Sequence, residues 1–187
     1  MTELASIDSD SAILAGLKAP TRVIPVVGGT GYGPTPLAAF DAALRQTGVA
    51  NYNLVRLSSV IPAGSAVVDG GAGPTHPDGE WGDRLYVVMA EQRAHRIGEE
   101  AWAGVGWVQE RASGRGLFVE HEGTDESQVR ADIDASLGAL CAGRPEPFGP
   151  IHSSVHGTRC QGQVACAVVV AVYEASSWST REPLVLP

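Results

Sequence analysis

Residues 51–62 carry an apolar run into a pair of serines and on to a proline: Asn51-Tyr52-Asn53-Leu54-Val55-Arg56-Leu57-Ser58-Ser59-Val60-Ile61-Pro62. The composition of this run predicts a strand over residues 53–60. Two adjacent serines most often end a strand, because serine is a common turn residue. The chain has two other such pairs, at residues 153–154 and 176–177, but neither has the preceding Asn-x-Asn-Leu and the following apolar pair and proline. The residues around Ser58 and Ser59 therefore indicate a role other than that of an ordinary turn.

The composition is that of one folded domain over residues 1–187. The chain is 44% hydrophobic and 18% charged, with 23 glycines and 12 prolines. These values fit a loop-rich globular protein with a real core and argue against disorder. The formal net charge of −8 argues against nucleic acid or an anionic membrane as a partner.

The sequence predicts neither export nor a membrane span. No segment is long and apolar enough to cross a bilayer, and residues 1–8 lack the basic start and apolar run of a signal peptide. The three cysteines, at positions 141, 160 and 166, do not suggest a disulfide framework. We therefore expect a cytoplasmic protein.

Short apolar segments separated by turn residues predict a fold dominated by strands. The predicted strands cover residues 22–27, 53–60, 65–68, 84–92, 101–109, 116–122, 151–156 and 163–173. The last is apolar at nearly every position, so we expect it at the centre of a sheet with both faces covered. The predicted connections are a hairpin turn at residues 113–115, a surface loop over residues 69–83 and the glycine-rich residues 28–34. Residues 1–20 are predicted to be a weakly ordered lead-in or a short helix.

The glycine-rich segment, residues 28–34, does not fit a phosphate-binding loop. It lacks the Gly-Lys-Ser/Thr ending of a P-loop, and its glycine spacing does not match the dinucleotide fingerprint. We interpret it as a flexible or tightly turned connection.

Two helices are predicted between the strands. The first has Thr35 as N-cap, Pro36 at its first position and Gly48 at its end, with an apolar face formed by Leu37, Phe40 and Leu44. The second follows Asp125 and runs to about residue 142, with a buried stripe of Val129, Ile133, Leu137 and Leu140. Many strands with two inserted helices indicate an α+β fold whose helices lie on the sheet faces.

One further cluster has the residue types of a metal site. His152, His156 and Cys160 are spaced by three residues each, and such side chains can bind zinc. The segment fits a strand and loop with polar residues better, and no second cluster completes four ligands, so no metal is expected.

Three blocks of sequence together carry a family resemblance. They are Thr35-Pro36-Leu37-Ala38-Ala39-Phe40-Asp41-Ala42-Ala43-Leu44, residues 51–62, and Gly116-Leu117-Phe118-Val119-Glu120-His121-Glu122-Gly123. In content, order and approximate spacing they resemble the pyruvoyl-dependent arginine decarboxylases, over about residues 22–174. The resemblance implies a strand-dominated, four-layer αββα sandwich with the helices outside. It also implies homotrimers, or multiples of them, with active sites between subunits.

The resemblance implies a self-processing lyase that makes its own cofactor. The chain would cut itself between Ser58 and Ser59 into residues 1–58 and 59–187. In this reaction the Ser59 hydroxyl attacks the Ser58 carbonyl, β-elimination removes the resulting ester, and hydrolysis leaves a covalent pyruvoyl group at position 59. The pyruvoyl ketone would condense with the substrate's amine and withdraw electrons as carbon dioxide leaves. The implied reaction converts L-arginine to agmatine and carbon dioxide.

Matched position by position, the resemblance implies three further roles. Asn53 matches an asparagine implicated in processing, and its amide would donate to the developing oxyanion. Glu120 matches the carboxyl group proposed as proton donor to the substrate. Asp41 matches the aspartate that receives the substrate guanidinium. Strand parity alone leaves Glu120 and Glu122 equal candidates, and the family register favours Glu120. His121, between them, is expected to face the other way.

Alternatives to this function remain. Ala38 replaces an asparagine common in the family, and Tyr32 stands where an acidic residue is expected, so the same chemistry on another amino acid or a specialised metabolite is the first alternative. The second is an uncleaved, non-catalytic relative with a structural or regulatory role. The retention of Ser58, Ser59, Asn53, Glu120 and Asp41 argues against it.

Overall fold

The structure is a computed structural model that describes residues 20–178. This part of the chain forms, in order, β1 (Arg22–Gly33), α1 (Pro36–Thr47), β2 (Asn53–Arg56), β3 (Val60–Ile61), β4 (Ser65–Ala72), β5 (Arg84–Ala94), β6 (Glu100–Gln109), β7 (Gly116–Gly123), α2 (Glu126–Ala142), β8 (His152–Arg159) and β9 (Val164–Ser176). Apart from Pro20, the prediction for residues 1–20 lies outside the described residues.

The strands form two sheets. The first sheet has the order β2-β5-β9-β1-β4, and the second has the order β3-β7-β6-β8. The apolar strand β9 lies at the centre of the first sheet, antiparallel to both β5 and β1. Its residues 165–171 are fully buried, which confirms the predicted central strand.

Three apolar cores divide the molecule into four layers. The largest lies between the two sheets and contains Val26 and Val169 of the first sheet and Val105 and Phe118 of the second. A second core joins α1 to the outer face of the first sheet. A third joins α2 to the outer face of the second sheet. The order helix, sheet, sheet, helix confirms the αββα sandwich.

The predicted helix ends are confirmed. The Thr35 side chain accepts a hydrogen bond from the Ala38 amide, and Gly48 ends α1 with a φ of 81°. The Asp125 side chain caps α2 by accepting from the Gln128 amide. No helix within residues 20–178 is long and apolar enough to cross a membrane.

Two leucines assigned to the buried helix faces are exposed instead. Leu37 is 73% exposed, because α1 contacts the first sheet mainly through small side chains such as Ala39 and Ala43. Leu140 is 36% exposed, because Cys141 takes the place at the end of the α2 stripe and packs on the core beneath it.

The prediction of a connection over residues 28–34 is wrong for its glycines. β1 runs on to Gly33 and pairs with β9 along this whole stretch, from Val26↔Ala171 to Gly33↔Val164. Gly29, Gly31 and Gly33 face α1 at alternate positions of the strand. A side chain there would collide with the helix, since a Cβ added at Gly31 would lie 2.3 Å from the Ala43 nitrogen. The glycines therefore serve close packing of a helix on a strand and not a turn.

The single strand predicted over residues 53–60 is also wrong, and this error concerns the serine pair. β2 runs parallel to β5 in the first sheet, whereas β3 runs antiparallel to β7 in the second. Leu57, Ser58 and Ser59 belong to neither strand and carry the chain from one sheet to the other; we call these three residues the crossover.

The predicted loop over residues 69–83 is wrong at its start, because residues 69–72 continue β4 alongside β1.

We expect Gly31→Ala to lower the free energy of unfolding by about 1–3 kcal/mol, the range for overpacking. The added methyl group would lie 2.3 Å from the Ala43 nitrogen and 2.4 Å from the Ala39 oxygen, and these backbone atoms move only if α1 moves. Urea unfolding in the Ser59→Ala background, which is expected to keep one uncut chain, gives the measurement.

Gly138→Ala in α2 is the matched control. Nothing lies within 4 Å of a carbon added at Gly138, so alanine should raise the stability by up to about 1 kcal/mol through its helix propensity. Equal stability of Gly31→Ala and the parent chain would contradict the close packing of α1 on β1.

Candidate active site

The backbone of the crossover is unusual at Ser59. Among residues 20–178, Ser59 is the only non-glycine residue with a positive φ, which is 65°. For an L-residue other than glycine this left-handed conformation is disfavoured by roughly 1–2 kcal/mol. Such strain persists only where the surrounding structure enforces it, and it is concentrated at functional sites.

The hydroxyl and the carbonyl of Ser59 have partners on β7. The hydroxyl donates a hydrogen bond to Oε1 of Glu120 at 2.6 Å. The carbonyl oxygen accepts from the Phe118 amide at 2.8 Å. Because β3 pairs with β7 directly afterwards, through Val60↔Leu117, these contacts extend the ladder of the second sheet back to the serine.

Tyr173 of β9 holds the next peptide. Its hydroxyl donates to the Val60 carbonyl oxygen at 3.0 Å, and its ring packs edge-on against Phe118 with the centroids 6.1 Å apart. Burial, followed by the nearby Glu120 carboxylate, raises the pKa of the Tyr173 hydroxyl, whereas Arg22 lowers it. The net rise keeps the hydroxyl protonated, so it remains a hydrogen-bond donor.

A pocket of about 420 Å³ opens beside the crossover. Ser58 and Val60 line it on either side of Ser59, together with Tyr173. Arg22 and Glu174 add one positive and one negative charge to the lining, and they form an ion pair with 3.4 Å between nitrogen and oxygen. The volume lies within the ~300–1,000 Å³ typical of small-molecule sites.

Comparisons of the sequence with known proteins point to one family. The family model described as pyruvoyl-dependent arginine decarboxylase matches residues 23–177. The chain belongs to this family. A pyruvoyl-dependent arginine decarboxylase of Halobacterium salinarum is 38% identical over 157 residues, which cover 80% of this chain and 92% of that protein. The protein of the same name from Methanothermobacter thermautotrophicus is 30% identical over 111 residues, which cover 58% of this chain and 68% of that protein.

Of the residues assigned through the family resemblance, the structure brings together Ser59 and Glu120. Glu120 is half-buried and faces the crossover, whereas Glu122, on the same side of β7, is exposed. His121 faces the other way, as predicted, and contacts the Ser136 hydroxyl of α2 at 2.8 Å. The contact with Ser59 therefore separates two glutamates that strand parity could not.

Asn53 and Asp41 lie elsewhere in the protomer. The Asn53 amide donates to the Gly82 carbonyl, at the end of β2 remote from the serines. Asp41 lies on the exposed side of α1, where it pairs with Arg45 one turn later. Within the described residues, neither side chain forms a hydrogen bond to Ser58, Ser59 or Glu120. Their predicted roles remain predictions.

The side chains of His152, His156 and Cys160, which lie in β8 or directly after it, point to different surroundings. His152 stacks on Trp107, whereas the His156 ring lies over Gly28 and contacts the Ser154 hydroxyl; burial lowers the pKa of His156. Cys160 is buried and its thiol donates to the Gln163 carbonyl. No three such side chains within residues 20–178 are grouped so as to hold a metal ion, and the three cysteines are free.

Two features of the site are not visible in the sequence. Tyr173 appears there only as the end of an apolar strand, and it reaches Val60 because β9 packs across the sandwich from β3 and β7. The positive φ of Ser59 depends on the crossover between the sheets. Neither feature has a local sequence signal, since each arises from the packing of distant strands.

We expect Tyr173→Phe to lower the free energy of unfolding by about 1 kcal/mol, the usual net contribution of one hydrogen bond. The substitution removes the donor to the Val60 carbonyl and retains the ring that packs on Phe118. Urea unfolding in the Ser59→Ala background measures the change. Tyr86→Phe, in the same pocket, is the control and should leave the stability unaltered; an equal effect of both variants would contradict a specific role for the Tyr173 hydroxyl.

Proposed function

We propose that this chain is a self-processing, pyruvoyl-dependent decarboxylase that converts L-arginine to agmatine and carbon dioxide. The observation that carries the proposal is the conformation of Ser59. It is strained at the bond where cutting is expected, and its hydroxyl is held by Glu120. Family membership supports the same chemistry, because the relatives are named pyruvoyl-dependent arginine decarboxylases.

The backbone angle at Ser59 favours attack on the preceding carbonyl. Given the tetrahedral geometry at Cα, a φ of 65° turns the Cβ of Ser59 toward the carbonyl carbon of Ser58. In ordinary strand or helix conformations Cβ points away from that carbon. The Ser59 oxygen, the Ser58 carbonyl carbon and the three atoms between them can then close a five-membered ring, which an acyl shift from nitrogen to oxygen requires. The strain is relieved once the peptide bond is broken.

Three groups prepare the serine for this reaction. The Glu120 carboxylate accepts the hydroxyl hydrogen bond and thereby orients the oxygen. The Phe118 amide and the Tyr173 hydroxyl hold the carbonyls of Ser59 and Val60, the two groups that follow the scissile bond. The fragment that begins at residue 59 is therefore fixed before it is formed.

The residues present fit a pyruvoyl group at position 59. Ser59 supplies its carbon atoms, and the Phe118 amide contacts the carbonyl that would stand next to its ketone. Once formed, the group supplies an electron sink for decarboxylation. Glu120 is proposed to return a proton to the substrate carbon, which its half-buried position and its contact with Ser59 support.

The fold would hold the two fragments together after the cut. β1 belongs to residues 1–58 but lies between β9 and β4, which both belong to residues 59–187. β2 pairs with β5 in the same way. We therefore propose that the fragments remain one folded unit and separate only when the protein is denatured.

The substrate and assembly parts of the proposal rest on the family. Asp41, exposed on α1, is proposed to bind the substrate guanidinium, and Asn53 to assist processing, both at an active site completed by a neighbouring subunit of a homotrimer. A cytoplasmic location is part of the same proposal. The exposed position of Asp41 and its distance along the fold from the crossover suit a role at a subunit interface.

The first test is intact mass spectrometry of the denatured protein with an assay of agmatine formed from arginine. We expect two fragments, the second blocked at position 59 and reactive with a carbonyl-directed amine. Ser59→Ala should give one uncut chain without activity, because it lacks the attacking oxygen. Ser177→Ala, in another serine pair, is the control and should be cut normally. Cutting of Ser59→Ala at the same bond would rule out Ser59 as the nucleophile.

Glu120→Gln should separate processing from decarboxylation. The glutamine oxygen can still accept the Ser59 hydroxyl hydrogen bond, so the two fragments should form. An amide cannot return a proton to the substrate, so kcat should fall by about 10²–10⁴-fold, the usual contribution of general acid catalysis. Glu122→Gln, exposed on the same strand, is the control and should retain activity; normal turnover by Glu120→Gln would reject this assignment.

Mixed oligomers test the shared active site. We expect Asp41→Ala and Glu120→Gln to be inactive alone and active when the two variants are co-expressed with different tags and purified through both. In such oligomers, an Asp41 from one subunit can meet a Glu120 from its neighbour. Mixed oligomers with no more activity than the single variants would place both residues in one protomer, and a monomeric protein would reject the assembly.

A further inference from the structure

We propose that Arg22 receives the carboxylate that self-cleavage leaves on Ser58, and that it thereby promotes loss of the ester intermediate. The proposal rests on the proposed self-processing. It assigns a role to a side chain in the first described strand, more than thirty residues before the serine pair.

The chemistry of the cut creates a charge where none existed. The Ser59 hydroxyl oxygen bonds to the Ser58 carbonyl carbon as the C–N bond breaks, which gives an ester and a free amine at position 59. β-Elimination then removes the Cα proton of residue 59 to solvent, its electron pair forms the bond between Cα and Cβ, and the bond between Cβ and oxygen breaks with its electron pair leaving on the oxygen of Ser58. One water hydrolyses the remaining enamine. The balance is one peptide and one water in, and one carboxylate, one ketone and one ammonium ion out. A cation beside the departing oxygen stabilises the charge that develops on it.

Arg22 is the one cationic side chain that lines the pocket containing Ser58, within residues 20–178. It begins β1, opposite Ser65 of β4, and its side chain is 36% exposed. Tyr173, which holds the Val60 carbonyl, lines the same pocket. The cation therefore faces the same space as Ser58, the residue on which the new carboxylate would form.

The ion pair with Glu174 leaves the Arg22 guanidinium able to bind a second carboxylate. Only one of its nitrogens contacts Glu174, at 3.4 Å, and Glu174 itself is largely exposed. A guanidinium has five donor hydrogens and binds a carboxylate best through two parallel hydrogen bonds. A long contact between exposed groups contributes little to stability, so the Ser58 carboxylate can replace Glu174 or share the guanidinium with it.

The test follows the precursor from synthesis in a cell-free system, with hydroxylamine added at intervals before denaturation. Hydroxylamine splits the ester and gives a fragment that begins with an intact Ser59, whereas completed processing gives a fragment blocked at that position. Mass spectrometry distinguishes the two. We expect Arg22→Gln to form the blocked fragment about tenfold more slowly and to accumulate the hydroxylamine-sensitive ester, since it loses one charge-assisted hydrogen bond.

Two further variants separate this role from a structural one. Arg22→Lys keeps the positive charge and should restore most of the rate. Glu174→Gln removes the ion pair but leaves Arg22, so it should be processed at least as fast as the parent chain. Wild-type rates without ester in Arg22→Gln, or slow processing in Glu174→Gln and Arg22→Gln alike, would overturn the proposal. Failure of the unaltered chain to be cut would instead reject the self-processing on which it rests.

Discussion

The short crossing between the two sheets is the constraint on which the site depends. Leu57 is still bonded to the first sheet, through its amide and the Val87 carbonyl, whereas the Ser59 carbonyl is already bonded to the second sheet at Phe118. Packed sheets lie about 10 Å apart, and an extended residue spans at most about 3.6 Å. The crossing is therefore short. Within it Ser59 adopts a left-handed angle, and its carbonyl and hydroxyl groups are both held on β7.

This arrangement would let the proposed cut break one bond without loss of the fold. The two ladders that flank the crossover lie on opposite sides of the Ser58–Ser59 bond, so each is complete without it. Residues 1–58 supply an inner strand, β1, and residues 59–187 supply both of its neighbours. The glycines of β1 also seat α1 against the sheet, so the fragment of residues 1–58 has contacts along its whole described length. Among residues 20–178, the one non-glycine residue with a positive φ thus adjoins the bond that is proposed to be cut.

The sequence predicts what is local and misses what depends on distant partners. Apolar periodicity and capping residues located both helices and the buried strand β9, because these signals act within a few residues. The same reasoning placed residues 28–34 in a loop, since only contact with α1 reveals why a strand should contain so many glycines. It also predicted one strand across the serines, because an apolar run does not indicate that its two halves join different sheets.

For the candidate site, the family resemblance and the structure each identified different residues. Strand parity left two glutamates, and the hydrogen bond to Ser59 distinguishes them. Asn53 and Asp41 came from the family register, and in one protomer they contact Gly82 and Arg45. In the proposal a neighbouring subunit would complete their site, which a single chain cannot display. Tyr173 and Arg22, by contrast, lie in no motif and emerge only when β9 and β1 are placed beside the crossover.

The pairing of Ser59 with Glu120 also orders the two stages of the proposed reaction. Before the cut, the carboxyl group accepts the serine hydroxyl at 2.6 Å and is occupied by it. The chemistry of the cut transfers that oxygen to the carboxylate of Ser58, so Glu120 loses its partner at the moment when the new group appears. The same carboxyl group then faces a substrate with its hydrogen-bonding capacity free. In this proposal, the residue that orients the nucleophile would become available as a proton donor only after processing.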